Sequence, residues 1–160
     1  MSQNLFLKGY SRTDIELLSL LQQDALLSTV ELARLTGLSA NSVRKKRKEF
    51  KADGVIASEV AILNPEQVVG FIYFQVDLKL AGGRPDIRGA ESAFDVDNPM
   101  ILQCFHTTGP WDYRLLIVAR GVSEFEKFSE KLFLNNVEID RFESNLILRP
   151  VKFSFALPLQ

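Results

Sequence analysis

Scarcity is the first thing the chain shows: one cysteine, one histidine and one tryptophan among 160 residues. A lone Cys104 cannot close an intrachain disulfide, and without a CxxC or a Cys/His cluster there is no zinc-ligand set. His106 has no second histidine to share a metal or a proton relay. P-loop, GxGxxG and GxSxG motifs are also missing. The expectation is therefore no catalytic residues, no metal site, no cofactor and no enzyme activity. No apolar run approaches the roughly 20 residues that span a bilayer. The opening MSQNLFLKGYSRTD lacks the charged and long apolar regions of a signal peptide. These absences predict a cytoplasmic protein without a membrane partner. Hydrophobic residues at 46% and charged residues at 24% fit a globular protein with real cores.

What is present is unevenly distributed. The net charge is -1 and the pI is near 5.9, yet residues 44–48 are five successive cations, RKKRK. Residues 1–58 carry nine Lys and Arg against six Asp and Glu, a net +3, whereas the rest of the chain is net acidic. A basic front and an acidic back predict two modules with different partners.

The front reads as helices. Thr13 and Glu16 fit a capping box, followed by Ile15, Leu18, Leu21 and Ala25 at helical spacing. Ser28 and Glu31 repeat the box ahead of an apolar set of Val30, Leu32, Ala33 and Leu35, and Gly37 is a C-terminal breaker. Ser39 caps a third helix with Val43 and Phe50 inside, ending at Asp53-Gly54. A short helix, a Gly-containing turn and a polar second helix predict a helix-turn-helix. GVIASEVAILNP is β-prone and predicts a small wing and then a linker strand.

From Gly70 the pattern changes to period two: Ile72, Phe74, Val76, Leu78 and Leu80 alternate with Gln75, Asp77 and Lys79. A helix starting near Pro85 is expected to turn Ile87, Ala90 and Phe94 to one face. MILQCFHTTGPWDYRLLIVAR gives two strands joined at Gly109-Pro110. Ser123 and Glu126 predict a capped helix with Phe125, Phe128 and Leu132 on one face, and VEIDRFESNLILRP supplies a last strand. The order β-α-β-β-α-β is the ferredoxin-like arrangement. The fold class is thus α+β: a winged helix-turn-helix domain over 1–58, a linker strand over 59–68 and a ferredoxin-like domain over 69–160. One sheet face keeps Phe71, Tyr73, Leu116 and Val118, which predicts sheet-to-sheet dimerisation.

This combination resembles the Lrp/AsnC family, the leucine-responsive regulatory proteins. The resemblance rests on DIELLSLLQQDALLSTVELARLTGLS, FKADGVI, AILNP, TTGPWDYRLLIVAR and FALPL, and so spans Thr13 to Leu159. It implies a nucleoid-associated transcription regulator that binds double-stranded operator DNA as a homodimer, often assembled into tetramers or octamers. It also implies a second domain that senses a small molecule, usually an amino acid. Two departures stand out: Arg47 where the family keeps an apolar residue, and Pro110 where its loop carries an acid. The same two-domain build also serves sirohaem decarboxylases, enzymes that rely on histidines near the haem. The lone His106 and the basic third helix argue against that alternative.

The basic run has a functional reading beside two plainer ones, a solvated helix face and a nuclear localisation signal. For DNA, short polar residues near a helix start reach base edges while flanking cations hold phosphates. Ser39, Ala40, Asn41 and Ser42 form the first group; Arg44, Lys45, Lys46, Arg47, Lys48 and Lys51 form the second. With Val43 and Phe50 inward, Asn41, Lys45 and Lys48 point out, and the Arg47 stem packs while its head snorkels to a phosphate or a nearby acid. Gly109, Trp111, Asp112 and Tyr113 read either as a plain hairpin or as an effector loop. In the second reading a carboxylate approaches Gly109, Asp112 takes an ammonium or orders the loop, and the aromatics form a wall.

Overall fold

The computed structural model describes residues 9–64, 67–82 and 95–159. The chain divides into two compact units, one ending at Ile62 and rejoined by the tail from Phe153, the other Leu63–Lys152.

The first unit holds three helices: α1 (Arg12–Gln23), α2 (Thr29–Thr36) and α3 (Ala40–Ala52). Ser28 and Glu31 form the expected capping box of α2, and Ser39 caps α3 through the Ser42 N–H. The turn between them needs the left-handed backbone at Gly37, φ 70°, which glycine adopts without strain. The box of α1 is Ser11 with Asp14, not Thr13 with Glu16. Two such patterns overlap here, and the chosen one turns its acid inward. The core is Leu17, Leu18, Leu21, Leu32, Val43 and Phe50. Burying side chains of this size contributes about 1.5–3 kcal/mol each. In α2 only Leu32 is fully buried, with half-buried Ala33 packed beside it on the core, while Val30 is 71% exposed, so the apolar face is narrower than expected.

The expected wing and linker strand are absent among the described residues of 55–68. Instead the Ile56 N–H bonds the Phe50 carbonyl and the Ile56 side chain packs on the core. Among the described residues no strand pairs with this segment. The tail joins the same unit. The Gln22 amide brackets the Leu157 backbone, donating to its carbonyl at 2.7 Å and accepting its N–H at 2.9 Å, while Leu159 packs against the core.

The second unit is a four-stranded antiparallel sheet of β1 (Ile72–Leu80), β2 (Ile101–His106), β3 (Tyr113–Ala119) and β4 (Ile139–Ile147). Its order β2-β3-β1-β4 puts the first and third strands in the centre, as the ferredoxin-like arrangement requires. Phe74, Val76, Leu78 and Leu80 alternate into a core shared with Leu115, Ile117 and Ala119. Helix α4 (Val122–Ser129) and the π-helical turn Glu130–Leu134 after it add Phe125, Phe128 and Phe133. Phe74 and Phe125 stack with centroids 3.7 Å apart. The Ser123/Glu126 box is not formed: α4 starts from Gly121 without a side-chain cap, and Glu124 instead accepts the Arg120 N–H. The helix expected from Pro85, with Ile87, Ala90 and Phe94, lies outside the described residues.

Tyr73, Leu116 and Val118 lie half-exposed on the other face of the sheet, with Phe71 exposed just before β1. Asp77 is buried on that face. Its carboxylate takes Arg114 Nε at 2.6 Å, Arg114 Nη2 at 3.3 Å and Gln75 Nε2 at 3.1 Å. The directly opposed register of Asp77 and Arg114 makes this pairing possible.

Candidate nucleic-acid interface

Helix α3 divides its cations by angle. Val43 and Phe50 are fully buried, which rotates Asn41, Arg44, Lys45 and Lys48 together onto the exposed side at i, i+3, i+4 and i+7. Asn41 is exposed and its Oδ1 accepts Arg44 Nη1 at 3.0 Å. Lys45 is 79% exposed and lies 3.6 Å from Glu49, a surface pair worth well under ~1 kcal/mol. At the helix start the Ser39 and Ser42 hydroxyls bond each other at 2.8 Å, and Ala40 is half-buried.

The other three cations are already matched with acids. Lys46 Nζ lies 2.7 Å from Asp14 Oδ1, and the Asp14 side chain is only 5% exposed. Asp14 Oδ2 meanwhile accepts the Ser11 N–H at 2.9 Å and its hydroxyl at 2.8 Å. Burial pushes the Asp14 carboxyl up, but the Lys46 and Ser11 bonds outweigh it and hold the group below the ordinary carboxylate range. The same hydrogen bond raises Lys46. Arg47 Nη2 meets Glu59 Oε1 at 3.0 Å and Lys51 Nζ meets Glu59 Oε2 at 2.7 Å. Lys51 and then Arg47 hold Glu59 below its usual value. Neither Asp14 nor Glu59 was singled out in the sequence. The spacing of Asp14, Leu18 and Leu21 is the signal that marks Asp14 as an acid on the buried stripe. Nothing local points to Glu59.

The loop between β2 and β3 is ordered by Asp112, which is 2% exposed. Its Oδ2 accepts the Leu80 N–H at 3.0 Å and its Oδ1 takes Lys79 Nζ at 2.9 Å. Its backbone N–H bonds the Leu78 carbonyl and its carbonyl accepts the Thr107 N–H. Desolvation raises this carboxyl, but the Leu80 and Lys79 bonds prevail and lower it. The ammonium that the sequence reading assigned to a ligand is therefore met by Lys79 of the same chain. Gly109 turns the loop with φ 110°, and Tyr113 is buried with its ring 5.0 Å from His106. Trp111 is half-exposed, and the Arg141 guanidinium lies 4.7 Å over its ring, a cation–π geometry that sequence reasoning missed. Among the described residues, no group of three His, Cys, Asp or Glu is placed to hold a metal ion.

Comparison with known proteins adds three findings. A winged helix-turn-helix DNA-binding model matches residues 10–57, and the Lrp/AsnC ligand binding domain matches residues 79–157. The chain is 30% identical over 146 residues to the glutamate uptake regulatory protein of Zymomonas mobilis, covering 91% of this chain and 88% of that one. With the leucine-responsive regulatory protein of Haemophilus influenzae it shares 26% over 145 residues, 91% and 87% of the two chains. Among solved structures, a Neisseria meningitidis transcriptional regulator in complex with L-Met superposes with a TM-score of 0.82 at 25% identity, covering 94% of this chain and 97% of that one.

Proposed function

Because this chain belongs to the Lrp/AsnC family of transcription regulators, we propose that it reads operator DNA with the outer face of α3 and senses an amino acid or related metabolite through its sheet unit. The observation that carries the DNA reading is the single exposed row Asn41, Arg44, Lys45 and Lys48. In a major groove Asn41 bonds adenine bidentately, Lys45 reaches guanine O6 and N7, and Arg44 and Lys48 hold phosphates. A homodimer presents two such rows, so the site is a pseudo-palindrome with half-sites roughly one or two turns apart. Residues 1–58, joined by the tail from Phe153, act as the DNA-binding domain, and residues 69–152 as the sensing and assembly domain. Pairing of two copies through Phe71, Tyr73, Leu116 and Val118 covers the open sheet face, and larger assemblies build on that dimer in the cytoplasm, on the nucleoid.

For the effector, the Gly109–Tyr113 loop offers Trp111 as an apolar wall and Gly109 as a backbone approach for a carboxylate. Asp112 acts here by shaping the loop. The decisive experiment is genomic footprinting followed by titration of the recovered duplex. Asn41→Ala is expected to relax base preference, and Lys45→Ala to lose about 1–3 kcal/mol of discrimination at one base pair. Unchanged affinity and preference in both variants would reject α3 as the reading helix. A thermal-shift screen of the amino acids against wild type and Trp111→Ala tests the sensor. A shift for one amino acid that Trp111→Ala abolishes supports the loop; no shift for any amino acid rejects it.

A further inference from the structure

Arg47 and Lys51 stand one turn apart on the same flank of α3 and converge on one carboxylate, each on its own oxygen. The site has two cations for one anion, so it keeps a surplus positive charge while occupied. Its occupant belongs to residues 55–64, a segment with no helix or strand, and Lys51 remains half-exposed. Arg47 lies on the flank between buried Val43 and Phe50 and the outward row, and Lys51, seven residues after Arg44, adjoins that row, so the pair borders it on one side. A phosphodiester carries a single charge on two free oxygens, the same chemistry that Glu59 presents with its two carboxylate oxygens.

We propose that Arg47 and Lys51 form a DNA-phosphate subsite at the end of α3, and that Glu59 occupies it in the free protein as an internal competitor. This rests on the reading of α3 as the DNA-binding helix. When α3 enters the groove, a backbone phosphate takes the two cations and Glu59 leaves, which unfastens residues 57–62 from the helix. By linkage, anything that holds this segment on α3 weakens DNA binding, and DNA loosens the segment by the same factor. The depressed carboxyl of Glu59 accords with this, since it stays ionised and competes across the physiological range.

The test measures affinity for a random-sequence duplex over a range of salt, using the full chain. Five proteins are compared: wild type, Glu59→Gln, the pair Arg47→Gln with Lys51→Gln, all three changes together, and Glu59→Ala as a second removal of the charge. Removing the competitor is expected to tighten binding about three- to tenfold at low salt, the scale of an exposed ion pair bridging two cations, and the gain should fade at high salt. In the chain lacking Arg47 and Lys51 the gain should vanish, because the cycle isolates the coupling. If neither Glu59 variant binds more tightly, or if a gain of equal size survives without the two cations, the competitor is overturned. Wild type failing to bind any duplex would instead reject the reading of α3 itself, and this proposal with it.

Discussion

Lys46, the middle cation of the run, points inward and holds the buried Asp14 carboxylate at 2.7 Å. Asp14 is also the acid of the α1 capping box. One carboxylate therefore closes the start of α1 and ties α1 to α3. A residue read from sequence as a phosphate grip serves as a brace.

Lys46→Ala is accordingly expected to cost about 1–3 kcal/mol of stability by leaving a buried carboxylate without its ammonium. DNA affinity of the folded fraction should change little. Urea melts and duplex titrations on the same preparation check both halves. An unchanged urea midpoint with uniformly weaker DNA binding would restore Lys46 as a phosphate contact.

Acid should dissolve the brace. The Asp14 carboxyl is held below its ordinary value of 3.8 in the folded protein. Its stabilisation is therefore complete above that value and is lost as pH falls through the lower folded value. Asp14→Asn should be less stable than wild type at neutral pH, and the gap should narrow below about pH 4. A constant gap across that range, followed by thermal melts, would count against the ion pair.

Salt dependence counts the phosphates gripped. If a dimer grips phosphates only with Arg44 and Lys48 of each copy, log K against log salt should slope at about −4, from about −0.9 per phosphate. With the Arg47–Lys51 subsite also taking one phosphate per copy the slope should steepen to about −5. A nearly flat line would remove the electrostatic reading of the helix.

Asp112→Asn should cost about 1–3 kcal/mol, since the amide keeps the shape but loses the charge that Lys79 meets and turns a donor toward one partner. Hydrogen exchange at the Leu80 N–H, which Asp112 Oδ2 accepts, should speed up first. Protection at Leu80 equal to wild type would show that the loop is ordered by its backbone bonds alone.

If two copies pair through the Phe71, Tyr73, Leu116 and Val118 face, Leu116→Asp should yield a monomer in light scattering at micromolar concentration, because the added carboxylate would be desolvated there without a partner. A dimer surviving this change would place the assembly surface elsewhere.

The local patterns were legible because they depend on neighbours in sequence. Alternation from Ile72 to Leu80 placed one face of β1 in the core, as observed. The Ser28/Glu31 box, the Ser39 cap and the Gly37 turn follow from one turn of backbone geometry. Where two local patterns overlapped, the choice was not local. Ser11/Asp14 prevailed over Thr13/Glu16 because Asp14 gained Lys46 across the core. The β-prone stretch after Gly54 formed no strand, since a strand needs a partner to take its backbone hydrogen bonds.

The sequence by itself determined the three front helices, the four sheet strands and the helix after β3 in their order, the α+β class and the helix that carries the charge. Which cations on that helix are free was decided only by tertiary structure. Periodicity tells which way a side chain leaves its own helix, but Asp14 reaches Lys46 from another helix, and Glu59 reaches Arg47 and Lys51 from the segment that folds back after α3. Asp112 likewise reads as a turn residue until folding brings the Leu80 N–H and Lys79 against it. Charge pairing depends on distance in space, and folding alone sets that distance.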